Sequence, residues 1–191
     1  GAEQILLGQG NVMLCGGAES MSQAPFTARN IRWGVRFGKN DTLSDTLWDA
    51  LYDPFGGCAM GQTAENVATS EGVTREEQDE YAALSQQRAT ASLENGFWEN
   101  EITPVTTTDD EGNEVVVTQD DGIRAGTTAE GLAKLKPVFR PDGSVTAGNA
   151  CPLNDGAAAV VVMSDTRAKQ LGLTPIARIV SSGVTGLDPE I

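Results

Sequence analysis

SVTAGNACPLNDGAAAVVVM, residues 144–163, decides the fold. Its first half is built from small residues. Gly148, Asn149, Ala150 and Cys151 leave little side chain between the peptide groups and anything that approaches them, and Pro152 stiffens the loop by fixing φ. Asn154, Asp155 and Gly156 are turn formers placed just before an apolar run. Residues 157–163 are then continuously apolar, the pattern of a strand buried on both faces of a parallel-rich sheet. A rigid small-residue loop at the mouth of a buried strand is a common way to build a ligand site.

Working outward, residues 1–10 read as a helix tail and 11–15 (NVMLC) as a short buried strand, with Gly16-Gly17 turning the chain away. Cys15 reads as a core residue. Residues 27–40 alternate basic Arg29, Arg32, Arg36 and Lys39 with apolar Ile31, Trp33, Val35 and Phe37, which predicts a strand or hairpin arm with two unlike faces. An exposed Trp-Val-Phe face on a lone chain is a liability. A subunit contact or an ordinary intramolecular hairpin would each cover it.

Residues 44–52 predict a short helix capped by Ser44, with Leu47, Trp48 and Leu51 as its apolar stripe. Residues 61–72 predict a helix with Ala64, Val67 and Ala68 on one face. Thr74 opens the next helix, with Glu77 completing a capping box, and Gly96 stops it after about Asn95. Residues 101–118 predict a β-hairpin around the acidic turn DDEGN, 128–135 a helix capped by Thr128, 164–171 another helix, and 176–180 a strand.

Composition bounds the function. The 191 residues are 39% hydrophobic and 21% charged, as in a globular protein, with no apolar run long enough for a membrane span. A net charge of −14 argues against nucleic acid and anionic membranes as partners. The three cysteines, 15, 58 and 151, follow neither a disulfide nor a metal-binding pattern, which suits a reducing compartment. Histidine is absent, so no Ser-His-Asp triad, Cys-His pair or His-bearing metal site can form within these residues. Cys151, before a proline and without a basic neighbour, is a poor candidate nucleophile. Arg124 stands alone in DDGIRAG; its guanidinium suits a phosphate or a purine face, or equally a salt bridge to Asp120 or Asp121.

TAGNACPLNDGAAAVVVMS (146–164) resembles the thiolase family, the enzymes that make or cleave 3-ketoacyl-CoA. GGAESMSQAPF (16–26), AMGQTAENVA (59–68), TREEQDEYAALSQQRA (74–89), LAKLKPVF (132–139) and PIARIVSSGVTGLDP (175–189) extend the resemblance, in the family's order, over essentially the whole chain. The resemblance implies an α/β fold: a layered thiolase-like core, incomplete here, with a large helix-rich insertion, the loop domain, containing the hairpin. It implies four segments: 1–22 as the end of the N-terminal core half, 23–146 as the loop domain, 147–172 as the return to that core, and 173–191 as the start of the C-terminal half.

It also implies roles. The family's nucleophilic cysteine is expected just upstream of Gly1, and its histidine and second cysteine beyond Ile191, so this internal stretch holds no catalytic residue. Strands 11–15, 157–163 and 176–180 are then expected to lack the neighbours that the missing segments provide, leaving unpaired edges, and the isolated chain to fold poorly. Arg124 corresponds to a contact with the CoA nucleotide, and Leu51, Met60, Phe139 and Ala147 to the pantetheine tunnel, although apolar side chains of this kind also make plain core. Cys151 stands where many members carry a serine that hydrogen-bonds the pantetheine arm, a contact a thiol makes more weakly. Ala59 departs from the histidine that biosynthetic members often carry before the methionine, leaving longer-chain 3-ketoacyl-CoA open. Arg29, Arg32, Trp33, Arg36 and Phe37 correspond to the tetramer-building loop.

CoA and acyl-CoA are thus expected as substrates, with no separate cofactor or metal, and a homo-oligomer (tetramer or dimer) as the assembly. The expected location is the cytoplasm for a bacterial-type parent, or the mitochondrion or peroxisome for a eukaryotic one. Two other readings fit the residues: a non-catalytic CoA-binding or oligomerisation module, and a degenerate thiolase-like protein.

Overall fold

A computed structural model describes residues 1–39 and 42–191. Asn40, the last residue of the expected arm, lies outside them. The chain is of the α/β class and divides into two compact units, one of residues 1–51 with 153–188 and one of residues 52–152 with 189–191.

The first unit is organised by two nine-residue strands, β1 (Val12–Ser20) and β8 (Asp155–Met163). They pair antiparallel, from Val12 opposite Met163 to Ser20 opposite Asp155. This corrects three expectations. Gly16 and Gly17 do not turn the chain but continue β1, and at Gly16 the strands approach so closely that a Cβ would lie 2.6 Å from the Ala158 carbonyl oxygen. Asp155 and Gly156 belong to β8 rather than to a turn. The apolar run is neither in a parallel ladder nor buried: Val160 and Val161 are 61% and 59% exposed, because a two-stranded ladder covers neither of its own faces.

Helix α1 (Ala2–Leu6) precedes β1, and the chain start at Gly1 lies over the half-buried Cys15. Residues 176–180 form no strand. They find no partner among the described residues, and a strand without a ladder has nowhere to place its N–H and C=O groups except water.

Asp155 fastens the end of the ladder. Its carboxylate accepts hydrogen bonds from the Ser22 N–H (2.9 Å), the Ser22 hydroxyl and the Ser20 hydroxyl (3.3 Å). The two Ser22 bonds, mainly, hold its pKa below the ordinary aspartate value. A carboxylate whose folded pKa is depressed stabilises above its unfolded pKa and loses that contribution as pH falls through the folded one. The protection of the Ser22 amide against exchange, relative to its intrinsic rate at each pH, is therefore expected to fall below the ordinary aspartate range in the wild type. In Asp155→Asn that protection is expected to be low already at neutral pH, with little further response to acid.

The arm also differs from expectation. Strands β2 (Phe26–Thr27) and β3 (Ser44–Asp45) form its short antiparallel base. Beyond the base the alternating segment folds as turns, closed by Gly34 N–H to Ile31 O (2.9 Å) and Lys39 N–H to Arg36 O (3.0 Å). Alternation had suggested a strand, but the segment has no ladder partner among the described residues, and Gly34 and Gly38 take positive φ. Helix α2 (Thr46–Ala50) is capped not by Ser44 but by Asp45, whose carboxylate accepts from the Leu47 N–H at 2.9 Å. Helix α6 (Asp165–Gln170) follows β8, with Ser164 as its cap.

In the second unit, β4 (Tyr52–Asp53) and β5 (Cys58–Ala59) form a short antiparallel pair leading into α3 (Met60–Glu71). Its buried face is centred on Glu65, not on Ala64 and Val67, which are exposed. Helix α4 (Arg75–Glu94) has the expected capping box: Thr74 Oγ1 accepts from Glu77 N–H at 3.2 Å, and Glu77 accepts from Thr74 N–H at 2.8 Å. The hairpin is β6 (Val105–Thr108) and β7 (Glu114–Val117), with Thr108 opposite Glu114. Asp109 closes its exposed tip by accepting from the Glu111 and Asn113 N–H groups. Helix α5 (Ala129–Leu132) is capped by Thr128 and ends three residues earlier than expected. Arg75 Nη2 binds the carbonyls of Leu132 (2.8 Å) and Leu135 (3.1 Å), joining α4 to the end of α5.

Candidate functional site

The loop at 144–149 is an irregular stretch of the second unit held by many side-chain hydrogen bonds. It has no helix or strand to satisfy its peptide groups; Glu65 of α3 and Asn149 of the loop itself do so instead, while Gln78 and Asp79 of α4 hold loop side chains. Glu65 Oε1 accepts from the N–H groups of Ser144 (2.9 Å) and Val145 (2.8 Å), and Oε2 accepts from the Ser144 hydroxyl (3.0 Å). The same hydroxyl accepts from Gln78 Nε2 at 2.9 Å. Asn149 Oδ1 accepts from the Thr146 N–H at 2.7 Å. Its Nδ2 donates to the Ser144 carbonyl (2.9 Å) and to Asp79 (3.0 Å), which Arg75 holds at 2.7 Å.

Glu65, Asp79 and Thr146 are buried, at 3%, 2% and 1% exposure. Burial pushes the Glu65 carboxyl up, but the Ser144 and Val145 N–H groups, the Ser144 hydroxyl and the nearby Arg140 charge together outweigh it, and the net pKa is lowered. Glu65 is an anion held mainly by peptide dipoles. Its approach requires Gly143, where a Cβ would sit 2.3 Å from Oε1.

Within this frame Ala147 is exposed, between buried Thr146 and half-buried Gly148, and its N–H has no hydrogen-bond acceptor among the described residues. Cys151 is exposed just beyond. Phe139 is half-buried and lies against Gly61 at the start of α3, beside Met60, which is exposed. The Val138 N–H donates to the Val145 carbonyl at 3.0 Å, so the Phe139 segment is tied to the clamped loop. Met60, Phe139, Ala147 and Cys151 therefore all lie on, or next to, this frame. Leu51, half-buried at the C-terminal end of α2, falls in the first unit.

Arg124 sits on a separate stretch pinned to α4 by one glutamine. Gln86 accepts from the Arg124 N–H at 2.8 Å and donates to the Gly122 carbonyl at 3.4 Å. The Thr127 hydroxyl donates to the Arg124 carbonyl at 2.7 Å. The Arg124 side chain is exposed and forms no ion pair among the described residues, neither with Asp120 nor with Asp121. Of the arm residues, Arg29 pairs with Asp49 of its own unit, while Trp33 and Phe37 are fully exposed. Among the described residues no cluster of three or more His, Cys, Asp or Glu could hold a metal ion, and no helix is long and apolar enough to cross a membrane.

Glu65, Gln78, Asp79 and Gln86 were not singled out in the sequence, and Asn149 was singled out only as a small residue of the loop, not for the hydrogen bonds its amide makes. A glutamate in QTAENVA gave the only signal, an acidic residue among small ones; its partners lie 79 and 80 residues away.

The family model for the thiolase N-terminal domain matches residues 1–166. An acetyl-CoA acetyltransferase of Pseudomonas aeruginosa is 50% identical over 191 residues, all of this chain and 49% of its own length. Two solved structures are also similar. The acetyl-CoA acetyltransferase of Bacillus anthracis is 46% identical with a TM-score of 0.89, over 99% of this chain and 48% of its own. The human mitochondrial 3-ketoacyl-CoA thiolase in complex with CoA is 43% identical with a TM-score of 0.87, over 98% and 46%. The chain spans about half the length of the curated relatives it matches.

Proposed function

The chain belongs to the thiolase family, and on that premise we propose that it is the CoA-holding part of an acyl-CoA acetyltransferase. The reaction is acyl transfer between CoA thioesters, by Claisen condensation or by thiolytic cleavage of a 3-ketoacyl-CoA. A cysteine takes the acyl group from one thioester, releasing the CoA thiol. A second residue moves the α-proton of acetyl-CoA, so that its carbanion attacks the enzyme-bound acyl carbonyl and expels the first cysteine. The 191 residues contain no histidine, and their three cysteines lie in other contexts, so the reacting groups come from outside them. The task of this part is to bind CoA and place the thioester.

The reading assigns the nucleotide end of CoA to Arg124, and the pantetheine arm to Leu51, Met60, Phe139, Ala147 and Cys151. It treats residues 23–146 as the loop domain inserted in the core, with 1–22 and 147–172 as the N-terminal core half and 173–191 as the start of the C-terminal one. Arg32, Trp33, Arg36 and Phe37 form a contact with a second copy, since two exposed aromatic rings on one arm suit burial in an assembly. Arg29 contributes through its pair with Asp49, by holding the root of the arm. The three free cysteines suit the reducing cytoplasm.

The observation that carries the proposal is Arg124. It is an exposed guanidinium with no ion pair among the described residues, on a segment fixed by Gln86, in a chain of net charge −14. Calorimetric titration of the purified protein with CoA tests it. Saturable one-site binding that weakens as salt rises is expected. A folded protein that takes up no CoA would sink the reading.

A further inference from the structure

We propose that Glu65 is a positioning residue for CoA: its buried carboxylate sets the backbone of the 144–149 loop, against which the pantetheine arm lies. The inference rests on the CoA reading above and adds to it a residue that does not itself touch the ligand.

Burying a carboxylate is costly unless hydrogen bonds replace its hydration. Here no cation lies within ion-pair distance of Glu65 among the described residues, and the compensation comes from two consecutive peptide N–H groups and one hydroxyl. Two adjacent N–H groups can point at one acceptor only in a narrow range of backbone geometry. An anion at that point therefore specifies the loop conformation, not merely its proximity. A neutral glutamine of the same size could still accept from the two N–H groups through its Oε1. Its amide nitrogen would face the Ser144 hydroxyl, which already accepts from Gln78, and that hydroxyl would lose the acceptor for its own proton.

The consequences reach the proposed ligand contacts directly. Ala147 follows two residues after Val145, and the Phe139 segment is bonded to the Val145 carbonyl. A loop displaced by a fraction of an ångström moves the exposed Ala147 N–H and the Phe139 ring together. Contacts of this kind must be held within about 0.5 Å to be productive.

The test compares wild type, Glu65→Gln and Glu65→Ala with a control, Ala168→Gly, which loosens the buried face of α6 in the first unit. Two quantities are read: the CoA dissociation constant and amide exchange at Ser144 and Val145. Glu65→Gln is expected to raise the dissociation constant on the order of tenfold and to accelerate exchange at both amides. Ala168→Gly, at a comparable drop in melting temperature, is expected to change neither. Because protonated Glu65 resembles glutamine and its folded pKa is lowered, the ratio between wild type and Glu65→Gln is expected to shrink only as pH falls below the ordinary glutamate range.

Equal losses of CoA affinity in Glu65→Gln and Ala168→Gly would reduce Glu65 to a contributor to stability and overturn the proposal. So would unchanged exchange at Ser144 and Val145, whatever CoA does. A folded wild type that binds no CoA while Glu65→Gln loosens the loop would instead remove the CoA reading and leave the clamp as structure alone. If Glu65→Ala does not fold, Glu65→Gln carries the comparison by itself.

Discussion

Replacing Arg124 with alanine is expected to weaken CoA binding about 10- to 100-fold, the loss from removing charge-assisted hydrogen bonds worth about 1.5–3 kcal/mol. The melting temperature should barely move, because an exposed side chain without an ion pair contributes within about 0.5 kcal/mol. The separation is clean because the segment is held by its backbone. The Arg124 N–H is taken by Gln86 and the Arg124 carbonyl by Thr127, and alanine keeps both. Calorimetry at low and moderate salt checks it: the difference between wild type and variant should narrow as salt screens the phosphate charge. Arg124→Lys should recover part of the affinity, since an ammonium attracts phosphate without the guanidinium fork. Wild-type affinity in Arg124→Ala would move the nucleotide end of CoA elsewhere.

What could be read from the residues follows the range of the forces involved. Helix α4 was legible because its start and stop are local: Thr74 and Glu77 cap each other across three residues, and Gly96 supplies the left-handed turn at its end. The hairpin was legible for the same reason, its β-branched runs flanking an Asp-rich turn that Asp109 closes. The strand at 155–163 was recognised over its apolar part, 157–163, but its partner was not. Hydropathy reports that a strand wants cover, not which strand lies beside it, and here the partner is some 140 residues away and antiparallel. Residues 176–180 show the limit most simply. Ile176, Ile179 and Val180 have strand propensity, yet they are exposed and, among the described residues, unpaired in any ladder. The loop 144–149 was singled out for its small residues; Ala147 is one of them, Cys151 follows it in the chain, and the Phe139 segment is bonded to it through Val138. The clamp was invisible, because a glutamate on a helix is ordinarily a solvated residue and only the folded chain brings Gly143 and Ser144 against it.

Gly61→Ala is expected to damage CoA binding far more than stability. Gly61 is the second residue of α3, and a Cβ there would lie 2.1 Å from Cε2 and 2.2 Å from Cζ of Phe139, so the ring would have to retreat by more than an ångström. Two stability effects oppose each other. Overpacking costs about 1–3 kcal/mol, while alanine is better than glycine in a helix by about 1 kcal/mol. The net loss should therefore be at most about 2 kcal/mol, a shift of several degrees in melting temperature. CoA affinity has no such offset. If Phe139 lines the pantetheine path, a displacement of that size should cost on the order of 100-fold. The cause can be isolated in a Phe139→Ala background, where no ring remains to clash with the new methyl group. There Gly61→Ala should become stabilising by about 1 kcal/mol, leaving only its helix propensity. Thermal melts and CoA titrations of the two single variants and the double decide it. Equal destabilisation by Gly61→Ala in both backgrounds would mean that Phe139 is not what the glycine makes room for. A stability loss without any loss of CoA affinity would make the contact ordinary core, the bland alternative that the apolar character of Phe139 alone leaves open.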